Sequence, residues 1–289
     1  MDRLSGRGII VTGATGIAAA SARRFAAEGA SVAIVSRTSS SCESLAGEIT
    51  GAGSRAYAFT ADLTHAPVAT EAIEAAIAAL GRVDGLFNVA GGSGRRMGDG
   101  PLHELTTEAY DATMRLNATT HVSVTAPVLR AMLAQEPDGD GSRGAIVNMG
   151  SVLATRPVPE LFATHAYATS KGAVSALTTT AAAYYAPHGI RVNMVAPALT
   201  ISRMSERAQA DQATQDFSKR KQPLAGGFIP AGDVAEAAVY LLSAESRAVT
   251  GQTIAIDGGW SVLPVGAVSY THLRAHETSR AISYAVFGW

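Results

Sequence analysis

The sequence contains a single cysteine, Cys42, among 289 residues. One thiol cannot form an intramolecular disulfide, so a scaffold held together by disulfides is excluded. Long apolar runs are also missing, because the alanine-rich stretches carry Glu, Arg or His every few positions and none approaches the roughly 18 residues of a membrane span. Met1 is followed by charged Asp2 and Arg3 and then by a strand-like segment from Gly8, which leaves no apolar signal segment. We therefore expect a cytoplasmic protein that does not enter membranes.

An excess of charge of either sign is absent as well. The chain has 23 Lys and Arg residues against 24 Asp and Glu residues, for a formal net charge of -1. This balance provides neither a basic face for nucleic acid nor an acidic tail for a basic partner. His121 and His188 lack partners at metal-ligand spacing, so we predict no metal site. The expected partner is a small molecule.

The apolar residues, 47% of the chain, follow a pattern of alternating elements. Short β-branched segments typical of strands alternate with alanine-rich segments of helical length. The predicted strands are 8–12, 31–35, 56–60, 84–89, 145–149, 191–195 and 253–256. Strands that are apolar throughout are typical of a parallel sheet covered on both faces. The pattern predicts an α/β protein with a Rossmann-type doubly wound parallel sheet of about seven strands, whose ligands bind at the carboxyl ends of the strands.

The chain length suits one α/β domain, which we place at residues 1–265. After it, residues 268–278 (V-S-Y-T-H-L-R-A-H-E-T) follow neither a helical nor a strand period. This string resembles the translation of a DNA-sequencing adapter, so we interpret 266–289 as a non-native or disordered tail. The alternative is a genuine C-terminal arm that takes part in oligomer contacts.

A glycine-containing turn connects the first strand to the following helix. It contains Gly13, Thr15, Gly16 and Ile17, which we assign to a cofactor site. Such a turn lets the backbone approach a pyrophosphate, whose charge meets the N–H groups and the dipole at the start of the helix. Because the turn follows the first strand of an alternating chain, it indicates a dinucleotide-binding site.

The residues after the second strand are Ser36, Arg37 and Thr38. A site that prefers NAD usually carries an acidic residue here for the ribose hydroxyls, and none is present. The Arg37 guanidinium can pair with a 2′-phosphate, and the two hydroxyls can donate to it. The sequence therefore favours NADP(H), with NAD(H) as the weaker choice. The alternative interpretation of Arg37 is a solvated loop arginine.

The turns after the third and fourth strands fall on the same edge of the predicted sheet. Asp62 and Leu63 suit contact with the adenine. Asn88, Ala90 and Gly91 suit packing on the ribose side of the cofactor. We assign all five to cofactor binding.

Tyr167 and Lys171 are four residues apart in a predicted helix, so both side chains project from one face. A phenol has an unperturbed pKa of about 10, and a nearby ammonium favours the phenolate. We therefore expect Lys171 to bring Tyr167 into range for acid–base work near neutral pH. Ser151, at the end of the fifth strand, would hydrogen-bond a substrate oxygen as negative charge develops on it.

These motifs occur in the order typical of the short-chain dehydrogenase/reductase family, which the chain resembles over about residues 5–263. The matching positions are Thr12-Gly13, Asn88, Ala90-Gly91, Asn117, Ser151, Tyr167, Lys171, Arg191-Val192-Asn193, Pro197 and Asp257-Gly258-Gly259. The resemblance implies that Asn117 holds a water linking Lys171 to solvent. It also implies that Pro197, Ala198 and Thr200 meet the nicotinamide through the backbone. A homo-oligomer, dimer or tetramer, is expected on the same ground.

The resemblance implies an NADP(H)-dependent oxidoreductase that interconverts a ketone or aldehyde with an alcohol, related to 3-oxoacyl reductases. A non-catalytic NADP-binding sensor on the same fold is the main alternative. A sugar-nucleotide epimerase, suggested by the short glycine turn, would normally need a larger C-terminal substrate domain. The predicted pocket walls are 92–101, 152–166 and 201–222, the last a mobile helical lid. The residues of these segments do not indicate a particular substrate.

Overall fold

The seven strands form a single parallel sheet. The computed structural model describes residues 2–159 and 161–264. The strand order is β3-β2-β1-β4-β5-β6-β7, and every neighbouring pair is parallel. The strands are β1 (Gly8–Thr12), β2 (Ser31–Ser36), β3 (Ala56–Thr60), β4 (Gly85–Asn88), β5 (Gly144–Met149), β6 (Ile190–Pro197) and β7 (Thr253–Ile256). All seven strand predictions are confirmed, with ends that differ by no more than two residues.

Helices cover both faces of the sheet. Within the described ranges they are α1 (Ile17–Ala27), α2 (Ser39–Gly51), α3 (Ala66–Leu80), α4 (Thr107–Met114), α5 (Thr120–Ala134), α6 (His165–Tyr185), α7 (Glu206–Ala210), α8 (Gln212–Lys221) and α9 (Ala231–Leu242). One apolar core joins α1, α2 and α9 to the sheet, and a second joins α3, α5 and α6 to the opposite face. The doubly wound α/β architecture is therefore confirmed.

Successive strand residues point to opposite faces, which explains why the strands are apolar throughout. In β1, Ile9 and Val11 belong to the first core and Ile10 belongs to the second, all with no exposed surface. Phe25 of α1 and Phe87 of β4 meet edge to face in the first core, with ring centroids 5.8 Å apart. Such aromatic pairs stabilise the fold beyond what the burial of apolar surface contributes.

The order of the strands reverses on the two sides of β1. The chain runs from β1 through β2 to β3 on one side, and then returns to place β4 on the other side of β1. In open parallel sheets this reversal opens a crevice at the carboxyl ends of the strands, where ligands bind. The residues that follow β1, β2, β4, β5 and β6 therefore lie along one edge.

The predicted lid at 201–222 is helical, as expected, since α7 and α8 lie within it after a short 3-10 turn at Arg203–Ser205. Its mobility stays a prediction. Among the described residues, no helix is long and apolar enough to cross a membrane. The predicted tail at 266–289 lies outside the described residues.

Candidate active site

The glycine turn after β1 leaves the start of α1 without a side-chain cap. Gly13 and Gly16 have positive φ angles of 101° and 56°, which only glycine adopts without strain. Gly16 is the N-cap residue, and neither a capping side chain nor an acidic residue in the first turn serves the N–H groups of α1. Those groups fit a phosphate, because an anion there would meet the helix dipole as well. Thr15 is exposed and Ile17 half-buried beside the turn.

The lid lies close to this turn. A Cβ atom built on Gly16 would lie 3.0 Å from Cβ of Ser202. That separation is tighter than nearly all natural Cβ contacts. The first residues of the lid therefore rest against the glycine turn, and residue 16 must stay small.

Arg37 is exposed after β2, between half-buried Ser36 and exposed Thr38. Within 2–159 and 161–264, Arg37 forms no ion pair and no side-chain hydrogen bond. Just after the neighbouring strand β3, hydrogen bonds from Thr64 lower the pKa of Asp62, and the positive charge of Arg37 lowers it further. The guanidinium is thus free to meet an anion at this edge.

The ends of β1 and β4 are tied together by a threonine side chain. Thr12 Oγ1 accepts hydrogen bonds from the N–H groups of Val89 (2.8 Å) and Ala90 (3.0 Å), and it donates to Asn88 Oδ1 (3.0 Å). The Asn88 amide donates in turn to the carbonyl oxygen of His121 at 3.3 Å. Thr12 occurs in the sequence motif, but its role in fixing the turn after β4 was not predicted.

Ser151 and Lys171 are buried next to the carboxyl end of β5. The Lys171 Nζ atom donates to the Met149 carbonyl oxygen at 2.8 Å and lies 5.7 Å from the centre of the Tyr167 ring. Ser151 lies two residues after the end of β5, and its hydroxyl accepts the N–H of Leu153 at 3.2 Å. The fold thus places beside Tyr167 both the lysine predicted to tune its pKa and the serine predicted to hydrogen-bond a substrate oxygen.

The proton affinities of Tyr167 and Lys171 differ from the sequence-based expectation. Burial raises the pKa of Tyr167, and the nearby Ser151 hydroxyl opposes that rise only in part. Burial also lowers the pKa of Lys171 to about 7. Lys171 therefore loses much of its charge near neutral pH, so the ammonium on which the expected phenolate depends is only partly present.

Asn117 lies in a π-helical turn, Arg115–Thr119, between α4 and α5. Its side chain is fully engaged: Oδ1 accepts the N–H of Gly92 at 3.1 Å, and Nδ2 donates to the carbonyl oxygens of Gly92 and Thr113 at 3.0 Å. Its carbonyl oxygen contacts Nδ1 of His121 at 2.5 Å. A water linking Lys171 to solvent would share that oxygen with His121, and the role of this water stays a prediction.

His121 is a site neighbour that the sequence did not reveal. The ring is fully buried, and burial followed by the nearby charge of Lys171 lowers the pKa of His121 to about 3. The imidazole is neutral at physiological pH, so it adds no second positive charge beside Lys171. Only its i,i+4 spacing from Asn117 would have suggested the contact.

In the segment after β6, several backbone polar groups already form hydrogen bonds within the protein. The N–H of Ala198 donates to the Ile256 carbonyl oxygen at 3.1 Å, and the Thr200 hydroxyl donates to the Ala198 carbonyl oxygen at 3.2 Å. Gln222, fully buried at the end of the lid, bonds both the N–H and the carbonyl of Leu199 at 2.9 and 3.0 Å. Contacts from Pro197 and Ala198 to a nicotinamide would therefore use carbonyl or apolar surface.

Aromatic side chains join the predicted pocket walls to each other. Trp260 packs against Phe217 of α8, with ring centroids 5.2 Å apart, and against Phe162 at 6.4 Å. The Trp260 indole N–H donates to the Arg156 carbonyl oxygen at 3.3 Å. Side chains from 152–159 and 161–162, from the lid and from the segment after β7 thus form one apolar wall. In the part of the chain that the structure describes, no group of His, Cys, Asp or Glu could hold a metal ion.

Comparison with known proteins identifies the family. The family profile described as enoyl-(acyl carrier protein) reductase matches residues 11–261. An A-factor type gamma-butyrolactone 1′-reductase (1S-forming) from Streptomyces virginiae is 36% identical over 266 residues, which cover 90% of this chain and 97% of that protein. An inactive 2-(S)-hydroxypropyl-CoM dehydrogenase 2 from Xanthobacter autotrophicus is 35% identical over 84% of this chain and all of its own length.

Solved structures show the same similarity. A protein from Beutenbergia cavernae, named as an NAD(P)-dependent gluconate 5-dehydrogenase, was crystallised with NADP bound at low occupancy. It superposes with a TM-score of 0.80 at 32% identity and covers 90% of this chain and 98% of its own. Sequence, fold and relatives agree, and the chain belongs to the short-chain dehydrogenase/reductase family of NAD(P)-dependent oxidoreductases.

Proposed function

We propose that this protein uses NADP(H) to interconvert a ketone or aldehyde with the corresponding alcohol, in the manner of a ketoreductase. One observation carries the proposal: Ser151, Tyr167 and Lys171 lie together at the carboxyl edge of the sheet, the same edge as the uncapped helix start after Gly16. The helix start suits the pyrophosphate of a dinucleotide. Buried Ser151 and Lys171 and half-buried Tyr167 suit proton transfer to a neighbouring oxygen.

In this proposal the bound cofactor supplies the hydride, and the protein handles the charge and the proton. Ser151 donates a hydrogen bond to the substrate oxygen as negative charge develops there. Tyr167 gives the oxygen its proton. A phenol whose pKa is raised by burial holds its proton firmly until that charge appears, which suits an acid in the reductive direction. Lys171, with a pKa of about 7, can gain or lose a proton at neutral pH.

The preference for NADP(H) over NAD(H) is proposed on the charge at the end of β2. Arg37 is exposed and has no ion-pair partner among the described residues, so its guanidinium is available to a 2′-phosphate. The relative from Beutenbergia cavernae with NADP bound supports the same choice. Ser36 and Thr38 would add hydroxyl donors at either side.

We further propose one catalytic domain over residues 1–265, in a cytoplasmic homo-oligomer that acts on a small carbonyl or alcohol. The two apolar cores share one sheet, which supports a single folding unit. The relative from Streptomyces virginiae is named as a reductase of a gamma-butyrolactone, which supports a small ketone as the substrate class.

The test begins with binding and continues with turnover. NADPH and NADH are titrated against the purified protein by fluorescence, and ketones and aldehydes are then screened by loss of nicotinamide absorbance. Tyr167→Phe removes the proton donor but little of the buried apolar surface. We expect it to lower turnover about 1,000-fold, within the range of general acid catalysis, while NADPH affinity changes little. Retained turnover in Tyr167→Phe would contradict the assignment.

A non-catalytic NADP-binding protein is the second candidate. It is favoured by one observation, the inactive 2-(S)-hydroxypropyl-CoM dehydrogenase 2 at 35% identity, since a close relative can keep the fold and lack activity. Tight binding of NADPH without turnover of any carbonyl or alcohol would support this reading over the reductase.

A further inference from the structure

Asp99 is a buried carboxylate in the loop between β4 and α4. It is 7% exposed, and both of its oxygens accept hydrogen bonds from another part of the chain. Oδ1 accepts the N–H of Ala166, and Oδ2 accepts the N–H of Tyr167, each at 2.9 Å. These donors belong to the first turn of α6, 67 and 68 residues further along the chain.

The first turn of α6 has no cap of its own. The first N–H groups of a helix have no partner within the helix, and the residue before the helix usually supplies a side-chain acceptor to the second or third of them. In α6 that residue is Thr164, whose side chain forms no such bond, and no acidic residue occurs in the first turn. Ala166 and Tyr167 are the second and third residues of α6. Asp99 therefore performs, from a distant loop, the function of an N-cap.

The position of the cap matters because Tyr167 lies in this turn. Helices fray from their ends, and a residue in the first turn moves when the turn opens. The bond from the Tyr167 N–H to Asp99 holds the backbone from which the phenol projects. A second contact joins the same elements, between Nδ1 of His165 and the Gly100 carbonyl oxygen at 2.9 Å.

The other end of the loop is fixed to Asn117. Gly92 exchanges hydrogen bonds with the Asn117 side chain through both its N–H and its carbonyl. In the middle of the loop, a Cβ atom on Gly94 would lie 2.6 Å from Oγ1 of Thr113 and 3.0 Å from Cβ of Asp99, so the loop packs closely on α4. The loop 91–100 thus connects the Asn117 turn with the start of the Tyr167 helix.

We propose that Asp99 is a positioning residue for the reaction: it caps α6 from the loop 91–100 and thereby fixes Tyr167 relative to the substrate wall that this loop forms. The inference rests on the proposed function for its catalytic consequence. The cap itself does not depend on that function, because it is a property of the fold.

The test compares Asp99→Ala with a matched control, Asp138→Ala. Asp138 also uses its carboxylate to accept two backbone N–H groups, those of Asp140 and Ser142, but it lies before β5 at the opposite edge of the sheet. We expect Asp99→Ala to lower kcat about 10- to 100-fold, the scale of a small misplacement of a reacting group, and to change the Kd for NADPH less than twofold. Asp138→Ala should leave kcat unchanged. Asp99→Asn, which keeps one acceptor oxygen, should fall between Asp99→Ala and the unmodified protein.

Hydrogen exchange separates the cap from the chemistry. In Asp99→Ala, the amides of Ala166 and Tyr167 should exchange faster than in Asp138→Ala, while the amides of β5 keep their protection. Unchanged exchange at those two amides would overturn the cap. Faster exchange with an unchanged kcat would overturn the positioning role. If the unmodified protein turns over no carbonyl, the proposed function fails, and the exchange experiment on the same variants still decides whether Asp99 caps α6. Should Asp99→Ala fail to fold, Asp99→Asn provides both measurements.

Discussion

Lys171 illustrates how burial alone changes the chemistry of a single residue. Among the described residues its Nζ atom has one hydrogen-bond partner, the Met149 carbonyl oxygen, and its pKa falls to about 7 because the ammonium is removed from water. Neutral His121 beside it adds no charge. The ammonium is therefore the main form below pH 7 and the neutral amine above it. An anion bound nearby would favour the ammonium and raise the pKa of Lys171.

Arg37 is the residue on which cofactor choice depends. Arg37→Asp replaces an unpaired guanidinium by a carboxylate that would repel a 2′-phosphate and could accept from ribose hydroxyls. We expect the Kd for NADPH to rise about 10- to 100-fold, since hydrogen bonds to charged groups contribute about 1.5–3 kcal/mol, and the Kd for NADH to change much less. Fluorescence titration of both cofactors measures the ratio.

The matched control for this prediction is Arg55→Asp. Arg55 is also exposed and precedes β3 at the amino edge of the sheet, away from the crevice. It should leave both dissociation constants unchanged. An unchanged NADPH-to-NADH ratio in Arg37→Asp would refute the NADP preference.

At the scale of elements, a buried carboxylate joins the start of the chain to two helices. Glu28, just after α1, has no exposed side-chain surface and pairs with Arg3 at 3.0 Å and Arg24 at 2.5 Å. Both arginines also reach Glu236 of α9. Burial alone would raise the pKa of Glu28, but hydrogen bonds from the Arg3 N–H and guanidinium and the charge of Arg24 outweigh it and hold the value at about 2.

Glu28→Gln should destabilise the protein in a pH-dependent way. Because the pKa of Glu28 is lower in the folded chain than its usual 4.5, its contribution is present above pH 4.5 and is lost as the pH falls towards 2. We expect the free energy of unfolding to fall by about 2 kcal/mol at pH 7, because the hydrogen bonds to the charged carboxylate are lost. This difference should shrink steadily below pH 4.5. Urea unfolding at several pH values measures it.

Glu48→Gln is the control, at an ion pair between α1 and α2. Glu48 pairs with Arg23 at 2.6 Å, but both side chains are about half exposed, so solvent screens the attraction. Its effect at pH 7 should be clearly smaller than that of Glu28→Gln. Equal effects of the two substitutions would show that the buried position of Glu28 adds nothing to the free energy of unfolding.

At the scale of the whole molecule, α5 and α6 carry exposed apolar side chains. Val122 is 51% exposed and Leu133 41% exposed on α5, about three turns apart and thus on one side of the helix, and Tyr184 of α6 is 69% exposed. In the proposed oligomer these side chains would be buried between copies of the chain.

Val122→Asp combined with Leu133→Asp should therefore dissociate the oligomer. Two carboxylates placed in an apolar interface would lose their hydration without gaining partners. Size-exclusion chromatography with light scattering should show a fall from a dimer or tetramer to the mass of one chain. Val68→Asp on α3, exposed to a similar degree at 45%, should keep the mass of the unmodified protein. A double variant that keeps its oligomeric mass would exclude this face as the interface.

The sequence by itself determined the seven strands, the doubly wound sheet and the pairing of Tyr167 with Lys171. These features are local: a buried parallel strand needs a short apolar run, and a spacing of four residues puts two side chains on one helix face. The glycine turn and the arginine after β2 could also be predicted from the sequence, because each lies within a few residues of a strand end.

The tertiary structure alone decided how the site is held and how its groups titrate. The bonds from Asp99 to α6, from Thr12 to the turn after β4, and from Asn117 to Gly92 join residues 25 to 78 positions apart. No local pattern encodes them, because the order of the strands determines which loops meet. The raised pKa of Tyr167 likewise depends on burial by several elements together, which the local spacing of four residues does not encode.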